Sequence, residues 1–436
     1  MVCRSFDNHL TTHNLLSDRQ WGFRKGHSTE SLLLHLTEVW KEALDDGLKV
    51  SVLFIDFRKA FDCVDHVILG EKLKALGVSE DMWIWLMDYL ANRSQLTQTD
   101  GASSESKPVK IEVPQGSLLR PRLFITYVND LPDNIRSDEV CMCADDTTIY
   151  TIGNTTDEVA IALQVILDQL QPWCQKNRLI FHEGKCDAVF LDTRAFIGPL
   201  KPLVWGDKTI EYRSFSVCLG IAIDERLSWA NHVKSVSTSY SSKVKMLRRI
   251  SFLPKATLET IYYKTVIPSL LYGMAVWGSC SDYLMKDLEL IHRRAARLIH
   301  KLPRDTEDET VLINAKWMPL KYFYCSRILN IKHRAFYNLE LGDINSLVVK
   351  NAYSYILRKS LNVVSRPRTE QGHRSFKHRA AIAWNYLPDT IKQLENPHSF
   401  KRKLKSIKTY VRDISFQKEC SENYNKNPEF RYFKII

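Results

Sequence analysis

Met142-Cys143-Ala144-Asp145-Asp146-Thr147-Thr148-Ile149-Tyr150 sets two adjacent carboxylates at a bend between two apolar, β-branched stretches. Neighbouring carboxylates repel one another, and the flanking residues favour a buried hairpin with little water to spare, so the arrangement calls for a compensating cation. A divalent metal is the leading candidate. A second apolar run, Val50-Ser51-Val52-Leu53-Phe54-Ile55-Asp56, ends in another carboxylate 89 residues before Asp145. Two strands that each deliver an aspartate to one end of a sheet make a template for two metal ions.

Composition sets the limits around that core. The chain has 436 residues, 44% hydrophobic and 25% charged, which is ordinary globular usage for about two to three domains. No run approaches the ~18 apolar residues of a membrane span, and the first residues lack the apolar core of a signal peptide. The composition reads as soluble and intracellular, leaving nucleus or cytoplasm open, with no membrane partner. Ten cysteines lie scattered without Cys-x-x-Cys pairs or histidines at zinc spacing, which argues against disulfides and structural zinc. Charge is uneven: residues 1–150 hold 16 Lys+Arg against 23 Asp+Glu, and residues 151–436 hold 45 against 27. An acidic end that accepts metal and a basic remainder suit a polyphosphate partner.

Periodicity gives a coarse order. Residues 28–44 read as a helix with Leu32, Leu33, Leu36, Val39, Trp40 and Leu44 on one stripe, followed by the buried strand 50–56. Asp65 caps a second helix that stops at Gly77, and 80–92 is aromatic-rich. Val109 to Val113 alternates as a half-buried strand, after which Pro114-Gln115-Gly116-Ser117 turns into an apolar helix. Thr155-x-x-Glu158 is a capping box, and 179–191 reads as a hairpin turning at Glu183-Gly184. Beyond about residue 215 the pattern is mainly helical, and the acidic turn Arg304 to Glu309 marks a candidate boundary.

Four blocks in order carry a family resemblance: Gly22-Phe23-Arg24-Lys25-Gly26-His27-Ser28-Thr29; Phe54-Ile55-Asp56-Phe57-Arg58-Lys59-Ala60-Phe61-Asp62-Cys63-Val64-Asp65-His66; Val113-Pro114-Gln115-Gly116-Ser117; and Ala144-Asp145-Asp146. They resemble the successive motifs of reverse transcriptases of non-LTR retrotransposons, jockey type. The resemblance continues through Cys218-Leu219-Gly220-Ile221, Ala275-Val276-Trp277-Gly278, Arg294-Ala295-Ala296-Arg297 and Arg374-Ser375-Phe376 to Trp384-Asn385-Tyr386-Leu387-Pro388. It implies an α+β right-hand polymerase: partial fingers over 1–49, a ferredoxin-like palm with interleaved helices over 50–215, a helical thumb over 216–303 and a mostly helical basic C-terminal extension over 304–436.

The same resemblance implies an RNA-directed DNA polymerase that joins deoxynucleoside triphosphates to a DNA primer on an RNA template. Two Mg2+ ions, or Mn2+ in their place, would serve the transfer, with Asp56 and Asp145 as bridging ligands and Asp146 as the outer partner. Phe61 resembles a steric gate below the sugar. Gln115 and Gly116 offer a close backbone approach to the nucleotide, Arg24 and Lys25 resemble a triphosphate grip, and Lys185 resembles the group that protonates pyrophosphate. Lys243, Lys245, Arg248 and Arg249 would follow the duplex backbone without reading bases.

Three departures keep a second class open, a reverse-transcriptase fold that binds nucleic acid without polymerising. By the resemblance, Met1 is expected to fall inside the fingers, with no endonuclease expected before the polymerase. Arg120 replaces a family glycine with an expected steric cost, and Arg122 brings charge to an apolar face. Cys143 stands where the family has Phe or Tyr.

Overall fold

A computed structural model describes residues 1–135, 139–194, 200–339, 345, 364 and 366–415. They form two compact units. The first comprises 1–32, 48–191 and the described part of 195–219; the second comprises 33–47, 192–194 and the described part of 220–436. Residues 340–344, most of 346–365 and 416–436, all within the expected basic extension, lie outside the described residues.

The first unit is built on a four-stranded antiparallel sheet running Val140–Cys143, Asp146–Gly153, Lys49–Ile55, Asp187–Leu191 from edge to edge. The central strand Lys49–Ile55 is all apolar but for Lys49 and Ser51, and from Val50 onward it is buried, as a strand covered on both faces must be. Chain order is strand, helices, strand, strand, helix, strand, the split arrangement that right-handed crossovers produce. The long crossover helix Thr156–Lys176 starts where the Thr155 hydroxyl accepts the Glu158 N–H, and it turns Val159, Leu163, Ile166, Leu167 and Leu170 onto the sheet. Asp65 likewise caps helix His66–Ala75 by accepting the N–H groups of Val67 and Ile68. A single core joins these helices and strands to Phe6 and Leu10 of helix Val2–Thr12.

Two expected elements differ. Val109 to Val113 forms no ladder; only Ile111 bridges to Asp65, because Glu112 takes a left-handed φ of +84° that breaks the pleat. Nor do residues 179–191 fold back on themselves. Phe181 makes an isolated bridge to Phe57, and Asp187–Leu191 pairs with the central strand instead.

The second unit is helical. Ala230–Arg249 packs on Asp282–His300, which also contacts Asp308–Ala315 and Leu320–Phe336. Within the region expected to be mainly helical, residues 255–277 are divided: Lys255–Ile261 passes into a π-helical turn Tyr262–Val266, then Ile267–Leu271, a left-handed Gly273 and Met274–Trp277. The left-handed φ of +60° favours glycine at 273, where a Cβ would also displace the Ile221 side chain. Residues 33–45 of helix Thr29–Asp45 belong to this unit and fasten segment 366–386. Glu38 accepts the N–H groups of Phe376 and Lys377 at 2.6 and 2.9 Å, while Asp45 accepts those of Arg368 and Thr369. Among the described residues no helix is long and apolar enough to cross a membrane.

Candidate active site

The sheet register brings the two motif strands together. Ile55 lies opposite Thr147 and Cys143 opposite Asp146, so Asp56 and Asp146 leave the same end of neighbouring strands, and Ala144-Asp145 is the two-residue loop of the hairpin. Ala144 holds φ +62°, a conformation that costs a non-glycine residue about 1–2 kcal/mol and that the surroundings impose. Gln20, fully buried, accepts the N–H groups of Ala144 at 3.0 Å and of Gly22 at 2.7 Å. Trp21 N–H donates to Met142 O and Met142 N–H to Arg19 O. A Cβ on Gly22 would stand 2.3 Å from Ala144 N. The Gln20–Gly22 segment therefore clamps the acidic loop.

Electrostatics at this end are those of a crowded acidic nest. Burial, then the Asp56 charge, raises the Asp145 carboxyl above the ordinary range. Partial desolvation, followed by repulsion from Asp145 and Asp56, pushes Asp146 up to about 6. The thiol of Cys143 rises to about 11, chiefly through burial and then through Asp146 and Asp145. Lys185 supplies the counter-charge, its Nζ 3.4 Å from Asp56 Oδ2. Among the described residues no three His, Cys, Asp or Glu side chains are gathered closely enough to form a finished metal cage. The donor set nevertheless fits a hard divalent ion, since it consists of carboxylate oxygens held against their mutual repulsion.

Two clefts flank Lys185. One, of about 630 Å³, is lined by Asp56, Phe61, Asp62, Arg120, Asp145 and His182 among others. The second, of about 710 Å³, is lined by Asp56, Asp146, Asp187, Arg213 and residues 214–217. Asp187 orders that wall by accepting from Arg213 Nε at 2.7 Å and from Ser216 Oγ at 2.9 Å.

The other expected residues divide. Phe61 lines the first cleft and stacks on Phe124 at 4.1 Å. Gln115 and Gly116 are exposed in the turn before helix Arg120–Tyr127, with Gly116 at φ +75°, and line neither cleft. Lys25 is exposed away from both clefts. Arg24 is used within its own loop, its guanidinium donating to Ser17 O at 2.6 Å and Gln20 O at 3.2 Å.

Arg120 and Arg122 carry no unpaired charge. Arg122 makes a two-point contact with Asp7, and Arg120 pairs with Asp62 at 3.0 Å and donates to Val113 O at 2.6 Å. The expected steric cost of Arg120 is thus relieved by a partnered position on the cleft wall. Gln20, Asp187 and Arg213 lie outside the quoted motifs, and Gly22 and Asp62 lie inside them with no role assigned, because each acts through a neighbour distant in sequence.

In the second unit, a cleft of about 640 Å³ between helices Ala230–Arg249 and Asp282–His300 is lined by Lys245, Arg248, Arg294, Arg297 and Arg304. Lys243 and Arg249 lie outside its lining. Arg297 pairs with Asp308 and donates to Thr306 O.

Residues 2–238 match the family described as reverse transcriptase (RNA-dependent DNA polymerase). Among curated relatives, the probable RNA-directed DNA polymerase from transposon BS of Drosophila melanogaster is 27% identical over 70% of this chain and 34% of its own length. The RNA-directed DNA polymerase from mobile element jockey of the same fly is 27% identical over 65% of this chain and 32% of its own. The chain thus spans about a third of the length of these relatives. Among solved structures, apo telomerase from Candida tropicalis overlaps 93% of this chain and 61% of its own, with 10% identity and a TM-score of 0.41. The chain has the right-hand polymerase fold and belongs to the reverse transcriptase family, with its similarity to the transposon BS and jockey proteins setting it among the non-LTR members.

Proposed function

We propose that the chain is an RNA-directed DNA polymerase whose nucleotidyl transfer takes place at the sheet end carrying Asp56, Asp145 and Asp146. The observation that carries this reading is the meeting of Asp56, at the end of one strand, with the Asp145-Asp146 pair of a hairpin 89 residues later: the Asp56 charge bears on both of those carboxyls, and Lys185 pairs with Asp56. Such an arrangement is destabilising unless it serves a cation.

In this reading the first unit supplies a ferredoxin-like palm. Asp56, Asp145 and Asp146 would hold two Mg2+ ions, or Mn2+ in their place. When bound, the ions neutralise the triphosphate and lower the barrier to attack by the primer 3′-hydroxyl. The chain's own side chains do the rest. The hairpin loop, clamped by Gln20, fixes the carboxylates before substrate arrives, which is where positioning lowers the barrier. The Phe61 ring lies under the sugar and excludes a 2′-hydroxyl, and Lys185, released from Asp56, donates a proton to pyrophosphate. The exposed Gly116 turn leaves room for backbone to approach the nucleotide, Lys25 meets the phosphates, and Arg24 braces the loop that presents it. Lys243, Lys245, Arg248 and Arg249 follow the duplex phosphates. RNA template, DNA primer and deoxynucleoside triphosphates are the partners.

Extension of a DNA primer annealed to a homopolymer RNA template, with Mg2+ and the matching nucleotide, tests the reading. Metal-dependent extension supports it. Duplex binding without extension favours the second reading, a nucleic-acid binder, for which the commitment of Arg24 to its own loop speaks.

A further inference from the structure

We propose that Arg120 is a positioning residue that braces Phe61 and thereby sets how firmly this chain excludes ribonucleotides; the inference rests on the polymerase reading above. Phe61 sits in the short turn Ala60–Asp62 on the cleft wall. Two residues of helix Arg120–Tyr127 reach it from one helix face, being four apart. Phe124 stacks on the ring at 4.1 Å with the planes 26° apart, and the Arg120 Cζ stands 5.0 Å from the ring centroid.

The guanidinium is itself held at two points. It pairs with Asp62, the residue next to Phe61, at 3.0 Å, and donates to Val113 O at 2.6 Å on the segment that leads into the Gln115-Gly116 turn. Arg120 thus joins the ring, the turn that carries it and the nucleotide-side loop into one rigid corner. Its side chain is only 17% exposed, and its charge is already answered by Asp62, so it is poorly placed to serve as a free phosphate grip. A planar guanidinium can meet an aromatic face and a carboxylate at once, whereas a lysine ammonium is a point charge. Without the brace the ring gains freedom to tilt, and a sugar bearing a 2′-hydroxyl fits more readily.

Single-nucleotide extension with deoxy- and ribonucleotides by wild type, R120A, R120K and D62N decides the matter, with thermal midpoints measured on the same preparations. The kcat/KM ratio of deoxy- to ribonucleotide should fall about tenfold in R120A, mainly through a lower ribonucleotide KM, and by less in R120K and D62N. D62N leaves the guanidinium in place and serves as the second test should R120A fold poorly. A KM raised equally for both sugars would make Arg120 a phosphate contact and overturn the proposal, as would an unchanged ratio in both R120A and D62N. Extension by wild type with such results removes this inference alone; a wild type that extends neither nucleotide removes the polymerase reading and this inference together.

Discussion

The acidic end of the first unit and the buried ionic cluster of the second treat charge in opposite ways. In the second unit Glu38 and Lys41 are almost fully buried, yet each is satisfied: Lys41 Nζ lies 3.5 Å from Glu38 and donates to Arg374 O, and Glu38 accepts two backbone N–H groups of helix Phe376–Tyr386. The buried His292 ring is likewise satisfied. His292 Nε2 donates to Met318 O, leaving Nδ1 to accept from Tyr262. At the acidic end, by contrast, Asp145 is raised by burial and by Asp56, Asp146 by burial, Asp145 and Asp56, and Lys185, which pairs with Asp56, is largely exposed. Satisfied charge holds a fold together, while unsatisfied charge marks where a ligand belongs.

That contrast predicts that equivalent substitutions have opposite consequences in the two places. Asp145→Asn, which keeps shape and removes charge, should reduce primer extension on the order of a thousandfold while leaving the thermal midpoint equal to or above that of wild type, because a repulsion is relieved. A collapse of stability together with activity would break the distinction. Glu38→Ala should do the reverse, lowering the stability of the second unit in chemical denaturation by about 3 kcal/mol, since it leaves Lys41 buried without its ion-pair partner and the Phe376 and Lys377 N–H groups without their acceptor.

Glu289 sharpens the comparison, because it is the second unit's own unsatisfied carboxyl. Oε2 accepts the Leu320 N–H at 2.8 Å, but Oε1 is buried without a hydrogen-bond partner. Burial, opposed by that bond and by Arg293, raises the group from 4.5 to about 7. The folded state therefore holds the proton more tightly than the unfolded chain. Its contribution is fully present below pH 4.5 and lost as pH rises through 7, by up to about 3 kcal/mol. Glu289→Gln should remove that slope from the difference in denaturation free energy between the two proteins. A smaller effect concerns the basic cleft. Exchanging Lys245, Arg248 and Arg294 for Gln should flatten the log–log salt dependence of duplex binding by about two to three units without changing sequence preference, and an unchanged slope would mean that these charges face only solvent.

What could be read in advance follows the same division. The apolar run closed by Asp56, the dyad at the hairpin bend and the caps at Asp65 and Thr155 are local signals, and the structure places them at the expected element ends. Signals depending on distant partners were silent. Nothing around Gln20 announces that its amide will hold Ala144, and nothing around Glu38 or Asp45 announces helices more than 300 residues later. Alternation misled at Val109 to Val113 because a single left-handed residue, Glu112, overrides it. Arg120 looked like an obstacle because its partner Asp62 becomes a neighbour only when the turn after the central strand folds against the helix.

The most direct test of the central claim, that Asp56, Asp145 and Asp146 together hold the catalytic metal, is to load Fe2+ in place of Mg2+ and map where hydroxyl radicals cut the backbone. The account predicts cuts confined to the segments around Asp56 and Asp145, suppressed by excess Mg2+ and absent in Asp145→Asn. Cuts elsewhere, or a pattern indifferent to Mg2+ and to that substitution, would contradict it.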